Sequence, residues 1–224
     1  MSNAARVGSR YEHCHPALPD LQQPRRMSTA AERRELLKQV FLEARQCREC
    51  ALHETRTTVV FGAGNADAEL MFVGEAPGAS EDQQGLPFVG AAGKLLTQLL
   101  SEISIERSEV FIANTLKCRP PGNRNPQPAE LEACEHYLFR QLELIQPTVV
   151  CTLGNFATKL LRGDQTGISK LHGRDEVRKI GPRTVRLYPL YHPAAALYAR
   201  ATMELLRSDF ARIPALLAAG APPQ

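Results

Sequence analysis

The chain of 224 residues has no continuous run of about 20 apolar residues, the length that a membrane-spanning helix needs. Its N-terminal segment lacks the unbroken apolar stretch of a secretory signal peptide, and no internal repeat is visible. These absences argue against a membrane protein, a secreted protein and a repeat array. Hydrophobic residues make up 43% of the chain, which suffices for one buried core. Together with these absences, we therefore expect a cytoplasmic, monomeric globular protein.

A strong excess of charge of one sign is also missing. The 27 basic residues nearly balance the 24 acidic ones and leave a formal net charge of +3. This charge permits binding to nucleic acid but does not demonstrate it.

The sequence divides into a tail, one domain and a short end segment. Residues 1–27 are rich in Pro, Arg, Gln and Ala without periodicity, which predicts a flexible tail. Ser28 and Thr29 are candidate caps of a first helix, whose apolar face ends near Cys47. The domain is expected to span residues 28–217, followed by a C-terminal tail at 218–224.

Apolar runs alternate with helical segments after that first helix. The runs predict buried strands at Leu70–Val73, Val110–Ala113, Val149–Leu153 and Val185–Leu190. The helices are predicted at Ala91–Ile103, Ala129–Leu144, Asn155–Leu161 and about Ala194–Leu217. This alternation indicates an α/β protein, a three-layer α/β/α sandwich around a central four-stranded parallel sheet.

A long loop, Gly74–Gly90, joins the first of these strands to the next helix. Connections in compact domains usually have about 4–6 residues, and a much longer one is usually functional or disordered. The segment PFVG favours order, because its aromatic residue is suited to packing. In open α/β sheets ligands bind beyond the carboxyl ends of strands, so this loop is a candidate ligand site. Its chemistry-bearing side chains are Glu75, Glu81, Asp82 and Phe88.

Polar residues also close two further strands. Asn114 ends the run FIAN, and His192 ends LYPLYHP. Asn114 alone is more often a turn or cap residue, and His192 alone is more often a loop histidine held rigid by Pro193. Together with Glu75, however, they follow three strands whose carboxyl ends share one edge. The basic residues beside Asn114, which are suited to phosphate groups or to an ordinary solvated loop, are Lys117, Arg119 and Arg124.

Four of the six cysteines form a credible ligand set, Cys47, Cys50, Cys118 and Cys134. Tetrathiolate sites hold either zinc or an iron–sulfur cluster, and the spacing does not choose between them. Cys118 and Cys134 could also be small buried hydrophobic residues. Cys151 lies within a strand and is expected in the core, and Cys14 lies in the tail.

Several ordered motifs together resemble the family 4 uracil-DNA glycosylases, iron–sulfur enzymes of the uracil-DNA glycosylase superfamily. They are GEAPG-x-x-ED, PFVG, N-x3-CRPP-x-NR-x-P, LG and HP, with the four cysteines so spaced. The resemblance runs from about Cys47 to the last helix. It implies base excision from uracil-containing DNA, single- or double-stranded, and a 4Fe-4S cluster on the four cysteines.

The resemblance also implies a role for each strand-end residue. Phe88 would stack on the flipped uracil, Asn114 would pair with its O4 and N3–H edge, and Glu81 would lie where thymine carries its methyl group. His192 and Glu75 would be catalytic, His192 as a donor to uracil O2 and Glu75 as an organiser of water or of the loop. The implied substrate-binding set is Gly74, Glu75, Ala76, Glu81, Phe88, Asn114, Asn123 and His192.

Two other interpretations stay open at this point. A covalently trapping branch of the superfamily uses a histidine in an Arg-rich insertion. Here the sequence ISKLHGRDEV offers His172 without the insertion or the Arg-Arg-Ile-His pattern. A non-enzymatic nucleic-acid-binding module with a structural zinc is the more distant alternative, although such a module would not need Glu75, Phe88, Asn114 and His192 together.

Overall fold

A computed structural model describes residues 29–223, so the predicted tail 1–27, Ser28 and Cys14 lie outside the described residues. The first helix, α1 (Ala30–Gln46), begins at Thr29 as predicted. The Thr29 hydroxyl accepts a hydrogen bond from the Glu32 N–H, and the Glu32 carboxylate accepts one from the Thr29 N–H. This capping box satisfies two backbone donors that the first turn leaves free, and Cys47 is the C-cap of the helix.

The described residues contain one six-stranded sheet in the order β1-β3-β2-β4-β6-β5. Its strands are β1 (Ala63–Gly64), β2 (Leu70–Gly74), β3 (Phe111–Asn114), β4 (Val149–Leu153), β5 (Glu176–Ile180) and β6 (Arg183–Leu190). The four central strands are parallel, which confirms the predicted parallel core. The expected total of four strands is wrong, because β1 and β5 add an antiparallel strand at each edge.

The helices that connect the strands largely follow the sequence pattern. They are α2 (Ala79–Gln84), α3 (Ala91–Glu102), α4 (Pro128–Ile145), α5 (Asn155–Arg162), α6 (Ile168–Leu171), α7 (Pro193–Ala196), α8 (Arg200–Phe210) and α9 (Ile213–Ala218). The prediction of one long final helix is wrong. Ala199 is extended before α8, and a proline lies in the first turn of α9, where proline is tolerated although it would break a continuous helix. Within residues 29–223, no helix is both long and apolar enough to cross a membrane.

The sheet separates two hydrophobic cores. Along β2, Met71 and Val73 contribute to the core that contains α1, α4 and α5, whereas Leu70 and Phe72 contribute to the core that contains α3, α8 and α9. Successive side chains of a strand point to opposite faces, so an unbroken apolar strand can be buried on both faces. The three-layer α/β/α architecture is therefore confirmed, and the carboxyl ends of its four parallel strands lie at one edge.

Candidate active site and cysteine recess

The carboxyl ends of strands β2 and β3 place Gly74 and Asn114 side by side. The two residues are register partners in the parallel pair. Asn114 is 2% exposed, and its Oδ1 has no hydrogen-bond partner among the described residues. A buried polar atom left unpaired in this way is uncommon and indicates a place where a ligand completes the hydrogen bonding.

Phe88, in the loop Gly74–Gly90, places its ring beside Gly74 and Asn114. A Cβ at Gly74 would lie 2.4 Å from Asn114 Oδ1 and 2.7 Å from Cζ of Phe88. The absence of a side chain at Gly74 therefore allows the amide and the aromatic ring to approach each other. Phe88 is buried and has a φ of +52°, in the left-handed region that non-glycine residues rarely adopt.

Glu81 holds the loop that carries this aromatic ring. Its Oε1 accepts hydrogen bonds from the backbone N–H groups of Val89 and Gly90, each at 2.9 Å. Gly90 is the N-cap of α3, so the carboxylate lies near the partially positive end of that helix. The two bonds fix the chain on the C-terminal side of Phe88.

His192 faces Phe88 from the end of β6, with ring centroids 5.7 Å apart and an interplanar angle of 30°. It is the N-cap of α7, and its Nδ1 accepts a hydrogen bond from Ala194 N–H at 3.1 Å. Burial lowers the pKa of His192 to about 4. The ring is therefore neutral at pH 7, and its proton lies on Nε2, which can donate to a ligand.

Glu75 begins the loop directly after Gly74. Its backbone oxygen accepts hydrogen bonds from the Leu116 N–H and the Thr115 hydroxyl, which extends the contact between the two strand ends. Burial raises the pKa of the Glu75 carboxyl. Ala76 packs against the core beside it.

Not every residue predicted for the site converges on this point. Asn123 is exposed, and its Oδ1 accepts a hydrogen bond from Arg119 Nε at 2.7 Å. Arg124 forms an ion pair with Glu130 on α4. Lys117, predicted in a solvent-facing or phosphate-binding role, is only 2% exposed. The structure thus places Gly74, Phe88, Asn114 and His192 together and leaves Asn123 at the surface.

The four predicted cysteine ligands line one recess together with Arg56, Lys117 and Tyr137. Cys47 and Cys50 follow α1, Cys118 follows β3, and Cys134 lies within α4. The four belong to the core on the α1 and α4 side of the sheet and are free thiols. Cys151 is fully buried in the opposite core, as expected of a strand residue.

The surroundings of the recess suit an anionic thiolate centre. Arg56 Nη1 donates to Cys118 Sγ, and Lys117 N–H donates to Cys134 Sγ, each at 3.3 Å. Burial raises the pKa of the Cys134 thiol to about 12, against the opposing effect of Lys117. Because buried thiolates need positive charge, the chemistry of the four thiols suits a bound metal or cluster, although within residues 29–223 no three His, Cys, Asp or Glu side chains are placed to hold a single metal ion.

Arg56 and Tyr198 were not identified from the sequence pattern, and neither was the burial of Lys117. No sequence pattern marked Arg56 as a site residue, because a single arginine after the CREC segment is unremarkable. Lys117 was identified as a basic residue beside Asn114, but in a phosphate-binding or solvated role that its burial does not fit. Tyr198 is 93% exposed, whereas Leu197 before it is partly buried against the core. Tyr198 therefore presents the larger apolar surface of the segment after α7.

Comparison with known proteins finds relatives in one superfamily. A sequence model of the uracil DNA glycosylase superfamily matches residues 61–213. The type-4 uracil-DNA glycosylase of Archaeoglobus fulgidus is 48% identical over 184 residues, which cover 80% of this chain and 92% of that protein. The type-4 enzyme of Thermotoga maritima is 45% identical over 166 residues, 74% of this chain and 85% of that protein. A type-5 uracil-DNA glycosylase of Pyrobaculum aerophilum is 32% identical over 149 residues, 58% and 63% of the two chains.

Proposed function

The chain belongs to the uracil DNA glycosylase superfamily, with type-4 enzymes among its relatives, and on that premise we propose that it excises uracil from DNA by hydrolysis. Water adds to C1′ of the deoxyribose, the N-glycosidic bond breaks, and free uracil and an abasic site are the products. The target nucleotide must first leave the base stack, which costs a few kcal/mol.

The observation that carries this proposal is the buried, unpaired Oδ1 of Asn114 beside the ring of Phe88. We propose that the Asn114 amide accepts from uracil N3–H and donates to O4, while Phe88 stacks on the ring. Stacking of this kind contributes about 1–3 kcal/mol per base. Cytosine has the opposite donor and acceptor pattern at these positions and would leave buried groups unpaired.

We propose that His192 supplies a hydrogen bond that strengthens as the N-glycosidic bond breaks. Negative charge develops on the departing uracil, and the Nε2–H of a neutral His192 would donate to its O2. A donor already oriented, here by the Ala194 N–H, needs no reorganisation during the reaction. We propose that Glu75, half-buried at the same edge, orients the attacking water or supports the loop.

The remaining pocket residues shape the site. We propose that Glu81 lies where thymine would carry its methyl group, a role supported by its position in the same loop as Phe88. Backbone groups at Gly74 and Ala76 would hold the base. Asn123 would act at the rim, through its bond to Arg119, rather than on the base.

We propose that the cysteine recess holds a 4Fe-4S cluster on Cys47, Cys50, Cys118 and Cys134. When bound, it supplies structural cross-linking between α1, the segment after β3 and α4. The support is the shared recess and the two N–H donors to sulfur, since such contacts are typical of iron–sulfur sites.

The first test is uracil release. The purified protein is incubated with matched single-stranded and duplex DNA carrying one U, C or T. We expect free uracil and alkali-labile sites from the uracil substrates alone. A protein that binds these DNAs but releases no uracil from either form would be a binding module instead, and a DNA adduct stable in detergent would indicate covalent trapping.

The second test identifies the metal. Anaerobically purified protein is expected to be brown, to absorb broadly near about 400 nm and to contain about four iron atoms per chain. A colourless protein with stoichiometric zinc and full uracil release would overturn the cluster while leaving the glycosylase proposal intact.

A further inference from the structure

Lys117 is buried deeply between the candidate base pocket and α4. Its side chain is 2% exposed, although lysine is almost never fully buried without a partner. The ammonium group donates to the backbone oxygen of Asn114 at 2.9 Å and to Gln141 Oε1 at 2.6 Å. Within residues 29–223, no carboxylate lies within ion-pair distance of it. Both hydrogen bonds of the ammonium group go to neutral oxygens.

The two contacts of the ammonium group continue into a buried network. Gln141 is fully buried on α4, and its Nε2 donates to the backbone oxygen of Phe61 at 2.9 Å. The ring of Phe61 lies 5.8 Å from Lys117 Nζ, and the Val60 N–H donates to the Lys117 oxygen at 2.8 Å. The network thus joins the strand end at Asn114 to α4 and to the segment before β1.

The geometry points to Lys117 as a positioning residue for base recognition, which rests on the proposed function of Asn114. Its ammonium group holds the main chain of Asn114 at a fixed place relative to α4. The side-chain amide is then presented to the base beside Gly74 and Phe88 without adjustment. A neutral, flexible side chain of similar length would leave the Asn114 oxygen without this donor and would let the strand end shift.

Lys117→Met tests this role, with the exposed Lys179→Met on edge strand β5 as the matched control. For Lys117→Met we expect kcat for uracil release to fall about 10- to 100-fold and the inhibition constant of free uracil to rise by a similar factor. KM for DNA and the iron content are expected to change little. Lys179→Met is expected to match the unmodified protein in all four measurements.

The double variant Lys117→Met with Gln141→Leu separates positioning from simple stability. Replacing both partners by apolar groups restores part of the stability that a single replacement removes, so its melting temperature should exceed that of Lys117→Met. We expect kcat to remain low, because the Asn114 oxygen is still without its donor. Should Lys117→Met not fold, Gln141→Leu alone removes the anchor on α4, and weaker inhibition by free uracil with iron retained is then expected.

The inference is overturned if folded Lys117→Met keeps the kcat and uracil inhibition of the unmodified protein, or if kcat recovers with melting temperature in the double variant. Unchanged uracil inhibition in Gln141→Leu would overturn it as well. These outcomes differ from failure of the proposed function, in which the unmodified protein itself releases no uracil.

Discussion

Replacing His192 by alanine is expected to lower kcat for uracil release by about 10²- to 10³-fold, the usual cost of removing one oriented donor from a developing negative charge. The imidazole is already placed by the Ala194 N–H and by its contact with Phe88, so the truncation removes a donor that the protein has oriented in advance. Because this bond strengthens mainly in the transition state, KM for DNA should change much less. Single-turnover kinetics with a uracil-containing duplex measure the effect.

His172→Ala is the matched control for this variant. The His172 ring packs on Tyr191, with centroids 4.4 Å apart, and its Nδ1 lies 2.8 Å from Asp209 Oδ2. These contacts give it a structural place, so we expect kcat within a few-fold of the unmodified protein. Equal rates for His192→Ala and the unmodified protein would refute the leaving-group role.

The pH profile provides a second measurement of the same prediction. Burial lowers the pKa of His192 to about 4, so this ring stays neutral as the pH falls through about 6.5, the ordinary value for histidine. Protonation of Nδ1 below about pH 4 would displace the Ala194 N–H. We therefore expect no step in kcat near pH 6.5, and a step there that disappears in His192→Ala would contradict the assignment.

Cys118→Ala is expected to remove most of the bound iron and the absorbance near about 400 nm. Structural metal sites contribute binding free energies of order 10 kcal/mol, so we expect the free energy of unfolding to fall by about 5 kcal/mol or more. For a domain of this size each kcal/mol corresponds to about 2–4 °C in melting temperature. Iron analysis and thermal unfolding, both under anaerobic conditions, measure the two effects.

Cys151→Ala provides a buried cysteine that lies outside the recess. Its thiol belongs to the core on the other face of the sheet, so we expect full iron content and a loss of only about 1 kcal/mol, typical of a small core truncation. Iron loss in this variant, or full iron in Cys118→Ala, would mean that the ligand set has been misassigned.

The parallel core of the fold could be predicted because its strands are apolar on both faces. The edge strands could not. The β1 strand has two residues and ends at Gly64, and β5 alternates partly buried with exposed side chains, including Arg178 and Lys179. Edge strands pair on one side only and commonly carry charge, so neither strand has the hydrophobic run on which the prediction relied.

At the site, sequence order identified the strand-end residues, since the position of a residue after a parallel strand determines the edge at which it lies. Burial was not predictable in the same way. Lys117 and Asn123 both follow Asn114 closely in a polar part of the sequence. Lys117 is nevertheless buried, whereas Asn123 is exposed. That difference depends on α4, whose Gln141 supplies an acceptor for the ammonium group, a long-range contact that local composition does not contain.

Gly74 contributes to the pocket through the side chain that it lacks. A methyl group at that position would meet both the Asn114 amide and the Phe88 ring, where we propose that the edge of a base enters. Every glycine codon is one nucleotide substitution away from an alanine codon. Where a glycine has a helical or extended backbone and open space around it, this exchange is among the mildest available, but here it would fill the space that we propose the base occupies. The pocket can therefore be closed by the smallest genetic and chemical change open to the chain.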